Sequence, residues 1–143
     1  LVALDGVRWD HLGLNGAGQP ATPAFDALAA RGRRFRQAYA TAPETLPSHA
    51  SMMTGLYPAG HGVHENARHV PTEHGVLAEK LQSAGYRTAA FVSSFVLARR
   101  FGLARGFGVY DDEMPEGGVE RSAMETTVAT ITMTTRISIR VKP

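Results

Sequence analysis

The run Glu73-His74-Gly75-Val76-Leu77-Ala78-Glu79-Lys80-Leu81-Gln82-Ser83-Ala84-Gly85, followed directly by Tyr86-Arg87-Thr88-Ala89-Ala90-Phe91-Val92, decides the fold class. Val76, Leu77, Lys80 and Leu81 recur at helical spacing, and Gly85 supplies a stop, so the spacing predicts a helix from Glu73 to Ala84. Tyr86 to Val92 then reads as a strand, with Ala89-Ala90-Phe91-Val92 as its buried half. A helix that passes into a strand across one glycine is half of a βαβ unit.

Reading outward from this unit, the alternation repeats. Leu1 to Leu4 is a short apolar run ending at Asp5-Gly6, which predicts a buried strand delivering a carboxylate to a tight turn. Residues 13–20 carry three glycines and Pro20 and read as a loop. Thr22-Pro23 opens a helix, with Thr as N-cap and Pro at the first helical position. Phe25, Leu28 and Ala29 share one face of it and Gly32 ends it. Arg33 to Ala40 reads as a strand, Pro47 to Thr54 as a helix stopped by Gly55, and Phe95 to Phe101 as a helical stretch. Residues 56–72 form a long loop rich in Gly, Pro and His, and loops of that length are often functional. Residues 102–108 read as a further loop. The whole predicts an α/β domain, a mainly parallel sheet flanked by helices. In such sheets ligands gather at the carboxyl ends of strands, and Asp5 stands at one.

Composition narrows the class. The chain has 143 residues, one domain's worth, with 43% hydrophobic and 20% charged residues, which is globular composition. No apolar run approaches the roughly 18 residues of a membrane span. Net charge is +2, too weak a balance to argue for nucleic acid. Arg31, Arg33, Arg34 and Arg36 read as a solvated edge, because no aromatic stacking platform accompanies them. The absence of cysteine excludes disulfides, Cys-zinc sites and thiol chemistry. Composition assigns neither compartment nor oligomeric state. There is no internal repeat. From Glu116 onward aromatic residues disappear, and Ile131, Met133, Ile137, Ile139 and Val141 alternate with Thr, Ser and Arg in a period-2 pattern. The expected organisation is therefore a catalytic-domain portion over 1–115 and an atypical tail over 116–143, disordered or non-native. Leu1 opens inside an apolar run, so the expectation is the N-terminal portion of a longer domain.

The chemistry concentrates in Thr45-Leu46-Pro47-Ser48-His49. With Thr45 as N-cap, Pro47 falls in the first helical turn, where a missing N–H costs nothing. The hydroxyl would then sit over free backbone N–H groups at the positive helix end, a place that favours an anion. A hydroxyl there is either a cap or a nucleophile. A threonine nucleophile needs an adjacent base or a metal. Asp5 with a metal ion would meet that need, since a bound cation lowers the pKa of a coordinated hydroxyl.

Several motifs resemble the opening of sulfatase-like hydrolases of the alkaline phosphatase superfamily. They are Asp5-Gly6-Val7-Arg8-Trp9-Asp10-His11-Leu12-Gly13, Thr22-Pro23-Ala24-Phe25-Asp26-Ala27-Leu28-Ala29, Phe35, Ala38-Tyr39-Ala40 and Thr45-Leu46-Pro47-Ser48-His49. They continue in order through Thr54-Gly55-Leu56-Tyr57-Pro58, His61-Gly62-Val63, Gly85-Tyr86-Arg87-Thr88 and Tyr110-Asp111-Asp112. The resemblance covers residues 1–112. It implies an alkaline-phosphatase-like α/β fold, a metal site at the carboxyl end of the sheet, and metal-dependent hydrolysis of sulfate or phosphate esters through a covalent intermediate. By resemblance Thr45 is the nucleophile, and Asp5 and Thr45 are metal ligands.

The motifs also depart from the sulfatase pattern. Gly6 stands where a second acid is usual, Thr45 where a Cys or Ser is converted to formylglycine, and His49 where an arginine is usual. Asp-Gly with Thr-x-Pro-x-His is similar to the nucleotide pyrophosphatase/phosphodiesterase branch, which uses an unmodified threonine on zinc. That implies a divalent metal, zinc before calcium. It also implies that Asn66, after the His-Gly pair, binds a phosphoryl oxygen. The implied substrate is a small anionic ester, a phosphoryl one being preferred. The alternatives are a phosphodiesterase or phosphotransferase on the same site, or a catalytically incomplete fragment acting as a fold or interaction module. The family's remaining metal ligands lie far downstream, so the expectation is weak metal binding and no turnover by this chain alone.

Three further candidates keep two readings each. His61, His64, His69 and His74 either bind metal or serve loop hydrogen bonding. His49 orients the loop or contacts substrate. Arg8 meets the anionic substrate or forms an ion pair with Asp10.

Overall fold

A computed structural model describes residues 1–16, 22–113, 135–136 and 138–140. The chain divides into two compact units, one of Leu1–Asp5 with Ala40–Pro143, the other of Gly6–Tyr39.

In the larger unit, strand β1 (Val2–Ala3) leads to Asp5. Helix α2 (Thr45–Thr54) follows, counting as α1 the helix of the smaller unit, Pro23–Arg31. Next come the single turn α3 (Pro58–His61), helix α4 (Leu77–Ser83), and strands β2 (Arg87–Phe91) and β3 (Val109–Asp111). Short strands β4 (Thr135–Arg136) and β5 (Ser138–Arg140) complete the pairing. β2 pairs in parallel with β3, Ala90 opposite Tyr110. β5 runs antiparallel to β2, and β4 antiparallel to β1. The described strands thus form two sheets, the antiparallel pair β1-β4 and the order β3-β2-β5, in which β2 and β3 supply the parallel pairing of the expected α/β fold. One parallel crossover is present, and the two other pairings come from the tail strands. Those strands fall within the alternating stretch 131–141; the rest of 116–143, like residues 17–21, lies outside the described residues.

Helix α2 buries Leu46, Ala50 and Met53, spaced by four and three, so that one face meets the core. Gly55 ends it in the left-handed conformation (φ 76°). Leu46, Val63, Val70 and Val76 are fully buried and share one cluster with Val92, Leu97, Phe101 and Leu103. Removing one of these larger side chains should cost about 2–5 kcal/mol.

The helix expected from Glu73 begins only at Leu77. The Arg105 guanidinium takes the carbonyls of Pro71, Thr72 and His74 at 3.0–3.1 Å, which holds that run out of the helix. Val76 then caps α4, and its N–H donates to Glu79 Oε2 at 2.9 Å. The crossover packs directly on this start. A Cβ at Gly106 would lie 2.2 Å from the Glu79 nitrogen, and φ there is +76°, so only glycine fits. The helical stretch expected over 95–101 is instead two 3-10 turns, Phe95–Leu97 and Arg99–Phe101, because Ala98 adopts an extended ψ of 150° between them.

In the smaller unit, 3-10 turns at Trp9–His11 and Gly13–Asn15 precede α1. Thr22 stands at the N-cap of α1, yet its hydroxyl accepts the Gly13 N–H (3.0 Å) instead of a helical one. The strand expected over Arg33 to Ala40 does not form. Every residue in it is exposed, and no described strand takes up its backbone groups.

Candidate active site

Strand β1 ends just before Asp5, and α2 begins at Thr45; the site is where these ends meet. The Thr45 hydroxyl donates to Asp5 Oδ2 at 2.5 Å, across 40 positions of sequence. Both residues are half-buried. A hydroxyl aimed at a carboxylate has its proton already directed to an acceptor.

The head of α2 differs from the expectation in one respect. Glu44, not Thr45, is the N-cap, and Thr45 is the first helical residue. The free N–H groups expected beneath the hydroxyl are mostly spent. Ser48 N–H donates to the Glu44 carbonyl (3.2 Å), Pro47 has none, and Leu46 N–H donates to Asn66 Oδ1 (2.9 Å). The helix end is therefore not an open anion cradle. Asn66 stands in its place. Its oxygen must be the acceptor for Leu46, so Nδ2 is the donor end of the amide, with no partner among the described residues. Its own backbone N–H donates to Glu44 Oε2 at 2.6 Å.

His49 reaches back one turn, and its Nδ1 donates to the Thr45 carbonyl at 2.8 Å. Nδ1 therefore carries the proton, and Nε2 is a bare acceptor. Nε2 is enclosed without a partner, in the wall of an apolar pocket shared with Met52, Met53, Val92 and Leu97. Arg8 belongs to the smaller unit, where its guanidinium bonds both oxygens of Asp10 (3.0 and 2.5 Å). Both partners are exposed. The hydrogen bond to Asp10 raises the Arg8 pKa, and the reciprocal bond lowers that of Asp10.

Of the loop histidines, His61 is fully buried and structural. Its Nδ1 accepts the Val63 N–H (3.1 Å), so Nε2 carries the proton and donates to Ser51 Oγ (2.9 Å), joining α2 to α3. Burial holds its pKa below the ordinary value, helped by His64 and His74. His74 Nε2 lies 3.8 Å from Glu73, and His69 packs against Gly102. Among the described residues, no three His, Asp or Glu side chains surround a common point. Asp5 and Thr45 offer hard oxygen donors suited to a divalent cation, but only as part of a ligand set.

Glu44 and Ser51 are the residues that sequence reading missed; His61 takes the hydrogen-bonding one of its two expected roles. Glu44 was visible as an acid immediately before the helix, a position favoured by the helix dipole.

A family model described as Sulfatase matches residues 1–110. The chain belongs to the sulfatase family. An ulvan-active sulfatase of Formosa agariphila is 37% identical over 84 residues, which is 57% of this chain and 16% of that protein. An arylsulfatase of Clostridium perfringens is 33% identical over 107 residues, 70% of this chain and 21% of that one. Human arylsulfatase G is 36% identical over 93 residues, 62% and 18% respectively. The chain thus spans about a fifth of the length of these curated relatives. No solved structure matches it. The family model supports the alkaline-phosphatase-like α/β fold inferred from the motifs. No described helix is long and apolar enough to cross a membrane.

Proposed function

We propose that this sulfatase-family chain carries the nucleophile of a metal-dependent hydrolase of sulfate or phosphate esters. The single observation behind this reading is the Thr45 hydroxyl donating to Asp5 Oδ2 at 2.5 Å. Thr45 Oγ1 attacks sulfur or phosphorus as its proton passes to Asp5, and the leaving oxygen takes that proton up as its bond breaks and departs as the alcohol. Water then cleaves the threonine ester and restores the hydroxyl. Asn66 Nδ2 donates to a non-bridging oxygen, where negative charge develops. His49 fixes the Thr45 carbonyl and with it the first turn of α2.

Asp5 and Thr45 would hold the divalent cation, zinc in preference to calcium, with ligands beyond these two completing the set. When bound, such a cation supplies positive charge that favours the deprotonated hydroxyl.

The relatives' names point to sulfate esters, whereas Thr45 points to phosphoryl transfer. A threonine cannot be converted to the formylglycine that typical sulfatases use. The second reading is accordingly a phosphodiesterase or phosphotransferase on the same residues. Turnover of aryl sulfate, aryl phosphate and aryl phosphodiester should be compared in the full natural polypeptide carrying this chain. The expected order puts a phosphoryl ester first; a clear preference for the sulfate would reverse it. Loss of all three with Thr45→Ala supports the shared nucleophile.

A further inference from the structure

We infer that Glu44 is the positioning residue that holds Asn66 against the nucleophile. The inference rests on the reading of Asn66 as the anion's hydrogen-bond donor and adds a residue to that site. Three observations carry it.

First, Asn66 is bound on both sides of Thr45: its backbone N–H donates to Glu44 Oε2 at 2.6 Å, and its Oδ1 accepts the Leu46 N–H at 2.9 Å. The bond to Glu44 joins an N–H to a half-buried carboxylate, the stronger kind. Second, Ala67, the next residue, has φ 61°, and no other described non-glycine residue has a positive φ. Alanine is strained there, and such a conformation persists only where surrounding contacts enforce it. Third, the other contact at this turn is the Arg68–Glu65 ion pair, which is exposed on both sides. Exposed pairs of this kind constrain little. Glu44 is thus, with the Leu46 N–H, a partly buried contact that holds the loop in its strained turn, and it is the one that fixes the Asn66 backbone.

The charge of Glu44 makes the test sharp. A carboxylate beside an anion site repels the anion. If Glu44 acted by charge alone, removing it would strengthen anion binding; if it acts by position, removing it weakens binding. The probe is inorganic sulfate titrated into the isotope-labelled chain, read by NMR at the backbone amides of Thr45, Leu46 and position 66, which every variant retains. Hydrogen exchange at Leu46 and Asn66 is measured alongside.

In Glu44→Ala, both backbone amides should exchange roughly fivefold faster or more, as for loss of one hydrogen bond, and sulfate should bind weaker by a similar factor. Glu44→Gln keeps an acceptor without the charge and should bind sulfate at least as well as wild type. Glu44→Ala added to Asn66→Ala should cost no further affinity, the mark of two residues acting through one group. Arg68→Ala should leave sulfate binding unchanged. Should Glu44→Ala not fold, Ala67→Gly, which relieves the strain, is added to both it and its wild-type control.

Unchanged or tighter sulfate binding in a folded Glu44→Ala, or a loss additive with Asn66→Ala, overturns the inference. If Asn66→Ala leaves sulfate binding untouched, it is the anion-donor reading that fails. Leu46 exchange in Glu44→Ala then still decides whether Glu44 positions Asn66.

Discussion

Helix α2 carries two hydroxyl–base pairs, one at its head and one six residues further on, and they look alike on paper. At its head, Thr45 Oγ1 and Asp5 Oδ2 are 2.5 Å apart; two turns on, Ser51 Oγ and His61 Nε2 are 2.9 Å apart. A serine beside a histidine is the more familiar nucleophile and base. Yet the proton runs the wrong way. His61 Nδ1 is occupied by the Val63 N–H, so Nε2 is the donor and cannot accept the Ser51 proton. Ser51 is 7% exposed and His61 not at all, so no substrate reaches them. At the head of the helix the hydroxyl is the donor, the carboxylate is the acceptor, and both remain partly open to solvent. Proton direction and access, not residue type, separate a reacting pair from a staple.

Substituting the two hydroxyls should give opposite phenotypes. Thr45→Ala in the full natural polypeptide should lower turnover by about three orders of magnitude or more, as for loss of a covalent nucleophile, with the melting temperature little changed. Ser51→Ala should do the reverse. It strands the buried His61 N–H, so denaturant unfolding should show a loss of about 1–3 kcal/mol while the Thr45–Asp5 pair is untouched. A Ser51→Ala protein of full stability would mean that the staple is not one.

The pairs should also differ in acid. The folded chain keeps His61 neutral because burial lowers its pKa, whereas the unfolded chain protonates it near its ordinary value of 6.5. The unfolded state therefore binds more protons as pH falls through that value, and stability declines from there down to the folded pKa. Above 6.5 the group contributes no pH dependence. Denaturation midpoints on either side of 6.5 should show this slope, and His61→Gln should flatten it. An unchanged slope in His61→Gln would assign the acid sensitivity to other groups.

The smallest effect is expected at the exposed pair of Arg8 and Asp10. Arg8→Ala should leave the denaturation midpoint unchanged within measurement error, because solvent screens both partners. A measurable loss would mean that Arg8 has a structural partner besides Asp10.

How much of this was legible in sequence follows the range of the interactions. Helix α2 ending at Gly55, α4 ending before Gly85 and strand β2 were readable because spacing and glycine stops act within a few residues. Thr45 and Asp5 were readable as candidates through the motifs around them. The start of α4 was not, because it is set by Arg105 from 31 to 34 positions away. Nor was the closing of the α2 head by Asn66, 20 positions on, or the tautomer of His61, set by a single backbone N–H. The Arg33 to Ala40 stretch has β-compatible residues, but a strand is a pairing, and sequence does not display the partner.

Thr45, and no other hydroxyl on α2, should become esterified during turnover. The direct measurement is acid quench of the full natural polypeptide during reaction with an aryl phosphate and an aryl sulfate, followed by peptide mass mapping. A phosphoryl or sulfuryl group should appear on the peptide containing Thr45, absent in Thr45→Ala and present in Ser51→Ala. Turnover with the group on Ser51, or undiminished turnover by Thr45→Ala, would contradict this assignment.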